Sequence, residues 1–80
     1  MSIPQDQIPE QGIIDATVAA FKAEFVKEGS LVLDAWWNRG FIVVYINGLE
    51  MADRQEELSK VPAPGEYQGL PTVLTLFPRQ

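Results

Sequence analysis

The stretch Leu-Val-Leu-Asp-Ala-Trp-Trp-Asn-Arg-Gly-Phe-Ile-Val-Val-Tyr-Ile-Asn, residues 31–47, decides how this chain is read. Leu31–Trp37 and Phe41–Ile46 are rich in β-branched and aromatic residues, and Asn38-Arg39-Gly40 between them is turn chemistry. The pattern predicts a β-hairpin. A three-residue connection, with Gly40 as a left-handed bulge residue, would pair Trp37 with Phe41. Leu31, Leu33, Ala35, Trp37, Phe41, Val43 and Tyr45 would then share one face. Val32, Asp34, Trp36, Ile42, Val44 and Ile46 would share the other. A half-exposed antiparallel sheet normally alternates apolar with polar residues. Here both faces are apolar and Asp34 is the one charge between Leu31 and Trp37. Such a hairpin needs cover on both faces, or lends one face to a partner.

Upstream, Ile14, Val18, Phe21 and Phe25 recur at helical spacing and predict an amphipathic helix over Ile13–Glu28, ended by Gly29. Its stripe belongs against one hairpin face. Residues 1–11 contain an Ile-Pro echo (Ile3-Pro4, Ile8-Pro9) and read as a flexible tail, leaving residues 12–78 as a single domain. Downstream, Asn47-Gly48 reads as a turn. Leu49–Met51 could follow it as a short strand, or Asn47 or Asp53 could cap a helix. The favoured reading is a turn, then a short polar helix over about Asp53–Lys60. Val61–Leu70 holds Pro62, Pro64, Gly65 and Gly69 and reads as a loop; Thr72–Phe77 alternates as a strand, bracketed by Pro71 and Pro78 as suits an edge. The order is helix, strand, strand, short helix, strand. The predicted class is α+β, a small, mainly antiparallel sheet with the helix packed on one face. The pattern leaves open which hairpin strand the last strand joins.

Composition narrows the function classes. The chain has 80 residues and a net charge of −5, with six Lys and Arg scattered along it, which argues against direct nucleic-acid binding and against docking on anionic membranes. Its longest apolar run falls far short of a membrane span, and no secretory signal is apparent, so a cytoplasmic location is expected. Histidine and cysteine are both absent, which removes the commonest general base, the catalytic thiol and the usual zinc ligands. No calcium loop, phosphate loop or nucleophile elbow is present. Asp34, Glu50 and Glu66 remain as carboxylates without a spacing that pairs them, so no catalytic residue, metal or cofactor is expected.

The expectation is therefore a non-catalytic protein-interaction module, an adaptor, subunit or inhibitor, engaging another protein or a second copy of itself. Trp36 and Trp37 are consecutive strand residues and point to opposite faces, so only one easily enters a given core layer. Trp and Arg dominate interface hot spots, and Arg39 lies three residues beyond Trp36. The predicted interface is Trp36, Arg39, Ile42 and Val44, with Asp34 at its rim or held by Arg39 or a backbone donor. Two alternatives remain. One is an acidic decoy that occupies a nucleic-acid-binding protein; the other is a small-ligand binder with a concave pocket.

Overall fold

The computed structural model describes residues 10–78. Helix α1 (Gln11–Phe25) is followed by strands β1 (Val32–Asn38) and β2 (Phe41–Asn47), a 3-10 turn at Met51–Asp53, helix α2 (Gln55–Leu58), and strands β3 (Gly65–Tyr67) and β4 (Leu70–Phe77). One four-stranded sheet has the order β1-β2-β4-β3. The expected α+β fold is present, with the helix packed against the sheet, but the sheet is mixed. β1 pairs antiparallel with β2, β2 parallel with β4, and β3 antiparallel with β4. The long connection through α2 and β3 returns the chain to the starting end of β2, which a tight hairpin cannot do. Among the described residues β4 is paired on both sides only at Thr72, and from Val73 onward it keeps the edge character its flanking prolines suggest. β3 spans only Gly65–Tyr67, so along β4 it leaves the side facing away from β2 unpaired beyond Thr72 among the described residues.

The hairpin turn is one residue tighter than expected. Arg39 (φ 51°) and Gly40 (φ 96°) both occupy the left-handed region, and Asn38 pairs with Phe41. Two such residues in succession form a turn whose backbone twist matches the right-handed twist of the flanking strands. This one-residue slip reassigns the faces. Ala35 and Trp37 now lie opposite Val44 and Ile42, while Trp36 lies opposite Val43 and Asn38 opposite Phe41. A register shift between Val32 and Asp34 throws Leu33 out of the ladder, so Leu31 and Val32 are both buried while Leu33 is exposed.

The core lies between α1 and one sheet face. Ile14, Thr17 and Phe21 of α1 are buried, as are Leu31, Val32, Ala35, Ile42, Val44, Ile46 and Leu70. Val18 and Phe25 of the expected stripe pack at its margin. α1 starts at Gln11 with Glu10 at its N-cap, inside the expected tail, and residues 1–9 of that tail lie outside the described residues. The helix stops at Phe25, short of the expected Glu28, because Val26 turns extended and packs against the core. Gly29 serves the following turn, where the Ser30 amide donates to the Lys27 carbonyl at 2.9 Å.

After β2, Asn47 is neither a helix cap nor the start of a further strand. Its Oδ1 accepts from the Leu49 amide at 3.0 Å and its Nδ2 donates to Glu50 at 2.8 Å, closing a side-chain turn. Gly48 is required by crowding. Its amide donates to the Phe77 carbonyl at 2.8 Å, and an added Cβ would stand 2.8 Å from that same oxygen. Gly48→Ala is expected to cost about 1–3 kcal/mol through this backbone clash, lowering Tm by about 5–20 °C in a domain of this size. Gly12→Ala, in the first turn of α1 with open space around the new methyl, serves as the control and leaves Tm unchanged or higher in the same calorimetric scan.

Candidate functional site

Strand alternation sends every second side chain of β1, β2 and β4 away from α1. The register aligns them in rows: Trp36 with Val43 and Val73, Asp34 with Tyr45 and Thr75, and Asn47 with Phe77. From the helices, Lys22 of α1 reaches this layer at its edge, beside Asp34. The core takes Ile14, Phe21 and Leu58 from the helices, and none of Trp36, Val43, Tyr45, Val73 or Phe77 packs into it. One sheet face is thus covered, and the other is bare among the described residues.

The bare face is apolar and largely aromatic. Trp36 is 37% exposed, Phe41 44% and Phe77 40%, with Val43, Tyr45 and Val73 half-buried between them. Trp36 meets Tyr45 with ring centroids 6.0 Å apart, and Tyr45 meets Phe77 edge-on at 6.1 Å. Three strands therefore carry one continuous aromatic row. Ring packing of this kind favours one arrangement of the side chains, so the row is held in shape before anything binds. Large apolar residues scattered singly over a surface need no explanation, but a contiguous set does.

The structure splits the predicted interface. Trp36 lies on the bare face and Arg39 is exposed at the hairpin turn beside it. Ile42 and Val44 do not join them: both are 0% exposed and point into the core beneath α1. The tighter turn is the reason, because it moves β2 by one position against β1 and exchanges its faces. Phe41, Val43 and Tyr45 take the places assigned to Ile42 and Val44. Their alternation along β2 was legible in the sequence; the pairing that decides which set faces Trp36 was not. Val73 and Phe77 were also missed, since only the parallel pairing of β4 brings them alongside. The two tryptophans do separate as expected, with Trp37 packed against the core.

Asp34 sits at the rim. Its carboxylate accepts from the Ala35 amide at 2.8 Å and lies 3.6 Å from Lys22 Nζ, which reaches it from α1 around the edge of the sheet. Its cation is thus Lys22, not Arg39. Behind this pair, α1 and β1 leave an open groove of about 480 Å³, flanked by Gln11, Asp15, Val18 and Lys22 on the helix and by Trp36 and Trp37 on the strand.

Glu57 and Tyr67 have displaced pKa values, and both are built into the fold. Glu57 accepts from the Leu31 amide at 2.6 Å, lies 3.2 Å from the Ser30 hydroxyl, and pairs with Arg54, which donates to the Gly29 carbonyl at 2.8 Å. The backbone donor, followed by Arg54 and Ser30, holds its carboxyl below the usual glutamate range against the opposing effect of desolvation. This clasp ties α2 to the loop between α1 and β1, a role that no local pattern around Glu57 announces. Tyr67 stands edge-on to Phe21 at 4.9 Å, and desolvation, then the nearby Glu24, push its phenol up. Among the described residues no group of three or more acidic side chains is placed to hold a metal ion, and no helix is long and apolar enough to cross a membrane.

Comparison with protein-family models, curated proteins and solved structures found no match, so the site is interpreted from its own chemistry.

Because the Glu57 carboxyl is depressed, its contribution to stability is complete above the ordinary glutamate pKa and is lost as pH falls through the folded-state value. Glu57→Gln should therefore lower stability at neutral pH, and the gap to the parent should close on acidification. Urea unfolding at a series of pH values measures this. A constant gap down to pH ~3, well below the free glutamate pKa, would remove the ionised clasp from the account.

Proposed function

We propose that this protein is a small, acidic, non-catalytic interaction module that binds another protein surface through its bare sheet face. The continuous row Trp36–Tyr45–Phe77, left uncovered while the opposite face carries the core beneath α1, supports this reading. Covering one such ring removes ~200 Å² from water. At ~25 cal/mol per Å², that is worth several kcal/mol before the costs of association. The rigid strands that present the row spare a partner the cost of ordering it.

The decoy reading gains little support. Asp34, Glu50, Glu56 and Glu57 each lie within 4.0 Å of a Lys or Arg, so much of the acidity is spent on the protein's own cations and does not form one field. The groove beside β1 is open and its polar side chains are already engaged, Gln11 with Asp15 and Lys22 with Asp34, which weakens the small-ligand reading.

The test is a double variant, Trp36→Ser with Tyr45→Ser, which makes the face polar without entering the core. A binding surface predicts that proteins retained from a cell extract by the parent are lost by the variant, while Tm changes by only a few degrees. Retention of the same proteins by the folded variant would reject the face as the binding surface. A large fall in Tm would instead make the row part of the stabilising structure.

A further inference from the structure

We infer that the occupant of the bare face is a second copy of this chain, packed sheet against sheet about a two-fold axis; this rests on reading that face as an interaction surface. One observation permits a self-partner and a second favours it. The chain carries a net charge of −5, so two copies repel over most of their surface, and the rows centred on Val43 and Val73 are an uncharged area where they can meet. In addition, β1 and the turn that follows it carry one charge of each sign on either side of Trp36: Asp34 two residues before it and Arg39 three residues after.

A two-fold axis that crosses β1 at the level of Trp36 and Trp37 reverses the strand direction between the copies. Arg39 of one copy then lies over Asp34 of the partner subunit, and the pairing occurs twice, as an isologous interface demands. Arg39 is exposed and makes no ion pair within the chain among the described residues. Among the described residues Asp34 has the Ala35 amide and, at 3.6 Å, Lys22 as partners, and its side chain remains half exposed. The central rows supply the dry contact, as in aligned sheet packing with sheets about 10 Å apart. Ordinary strand spacings make the overlapping area roughly 20 Å by 15 Å. That is below the ~800 Å² per partner of a standard interface, so the dimer is weak and reversible.

Sedimentation equilibrium of the full chain from about 10 µM to about 1 mM spans the affinities such an interface gives. The expected result is a mass that rises toward twice 8.9 kDa with concentration. Trp36→Glu should hold the protein monomeric. Arg39→Asp, at a left-handed turn position that aspartate tolerates, should weaken the dimer about fivefold or more, and adding Asp34→Arg should restore it. Should Trp36→Glu fail to fold by circular dichroism, the charge-swap set decides alone, since both positions are at the surface. A monomer throughout the range, or a dimer indifferent to Arg39→Asp, overturns the proposal. A monomer that still retains extract proteins through the Trp36–Tyr45 surface would remove the self-partner and leave the interaction module standing.

Discussion

The two-residue connection at Arg39 and Gly40 is the constraint on which the rest of this structure depends. Both residues are left-handed, and together they set which side chains of β2 lie beside which side chains of β1. With Asn38 opposite Phe41, Ile42, Val44 and Ile46 join Ala35 and Trp37 under α1, and all three are inaccessible to solvent. A turn one residue longer would send Phe41, Val43 and Tyr45 to that side and place bulky aromatics beneath the helix. The smaller β-branched set fits against Ile14, Thr17 and Phe21, and the aromatic set is left outside. Core composition and surface composition thus follow from a single backbone choice.

β2 carries this decision across the sheet. It is hydrogen-bonded on both sides, antiparallel to β1 and parallel to β4, so its alternation is imposed on both neighbours. Thr72 and Leu74 are aligned with the buried residues of β2, and Val73, Thr75 and Phe77 with its outward ones. The close approach of Gly48 to the Phe77 carbonyl fastens the end of β4 to the chain leaving β2. The Glu57 clasp does the same for α2, a helix of four residues that could not hold itself together in water. Both devices keep the connecting segments on the covered side and leave the opposite face free.

Much of the fold was legible from local pattern. The stripe Ile14, Val18, Phe21, Phe25 marks α1 because helical spacing is a property of neighbouring residues. The two hairpin strands are marked by β-branched and aromatic runs, and the strand near the C-terminus by alternation. The candidate site was half legible. Trp36 and Arg39 were identifiable because a pair of consecutive tryptophans in a strand cannot share one core layer. Ile42 and Val44 were assigned to the wrong side because both candidate turns use the same residues, Asn38, Arg39 and Gly40. The energy that separates them resides in how the two faces pack, not in the turn itself. The order of the strands was illegible for a similar reason: a parallel pairing made through a 22-residue connection, from Gly48 to Gly69, leaves no mark on either strand.

By itself, the amino-acid sequence determined that this is a small α+β domain with an amphipathic helix and a hairpin carrying more apolar surface than one core layer can absorb. These are consequences of residue spacing and type, which act over a few positions of chain. Tertiary structure alone decided which apolar face is covered, that β4 lies parallel to β2, and that Trp36, Tyr45 and Phe77 form one row. Those outcomes depend on contacts between residues far apart in the chain, as Tyr45 and Phe77 are, 32 positions apart. Their physical basis is long-range packing, which joins Ile42, Val44 and Ile46 to Ala35 and Trp37 beneath α1 and leaves Trp36, Tyr45 and Phe77 outside.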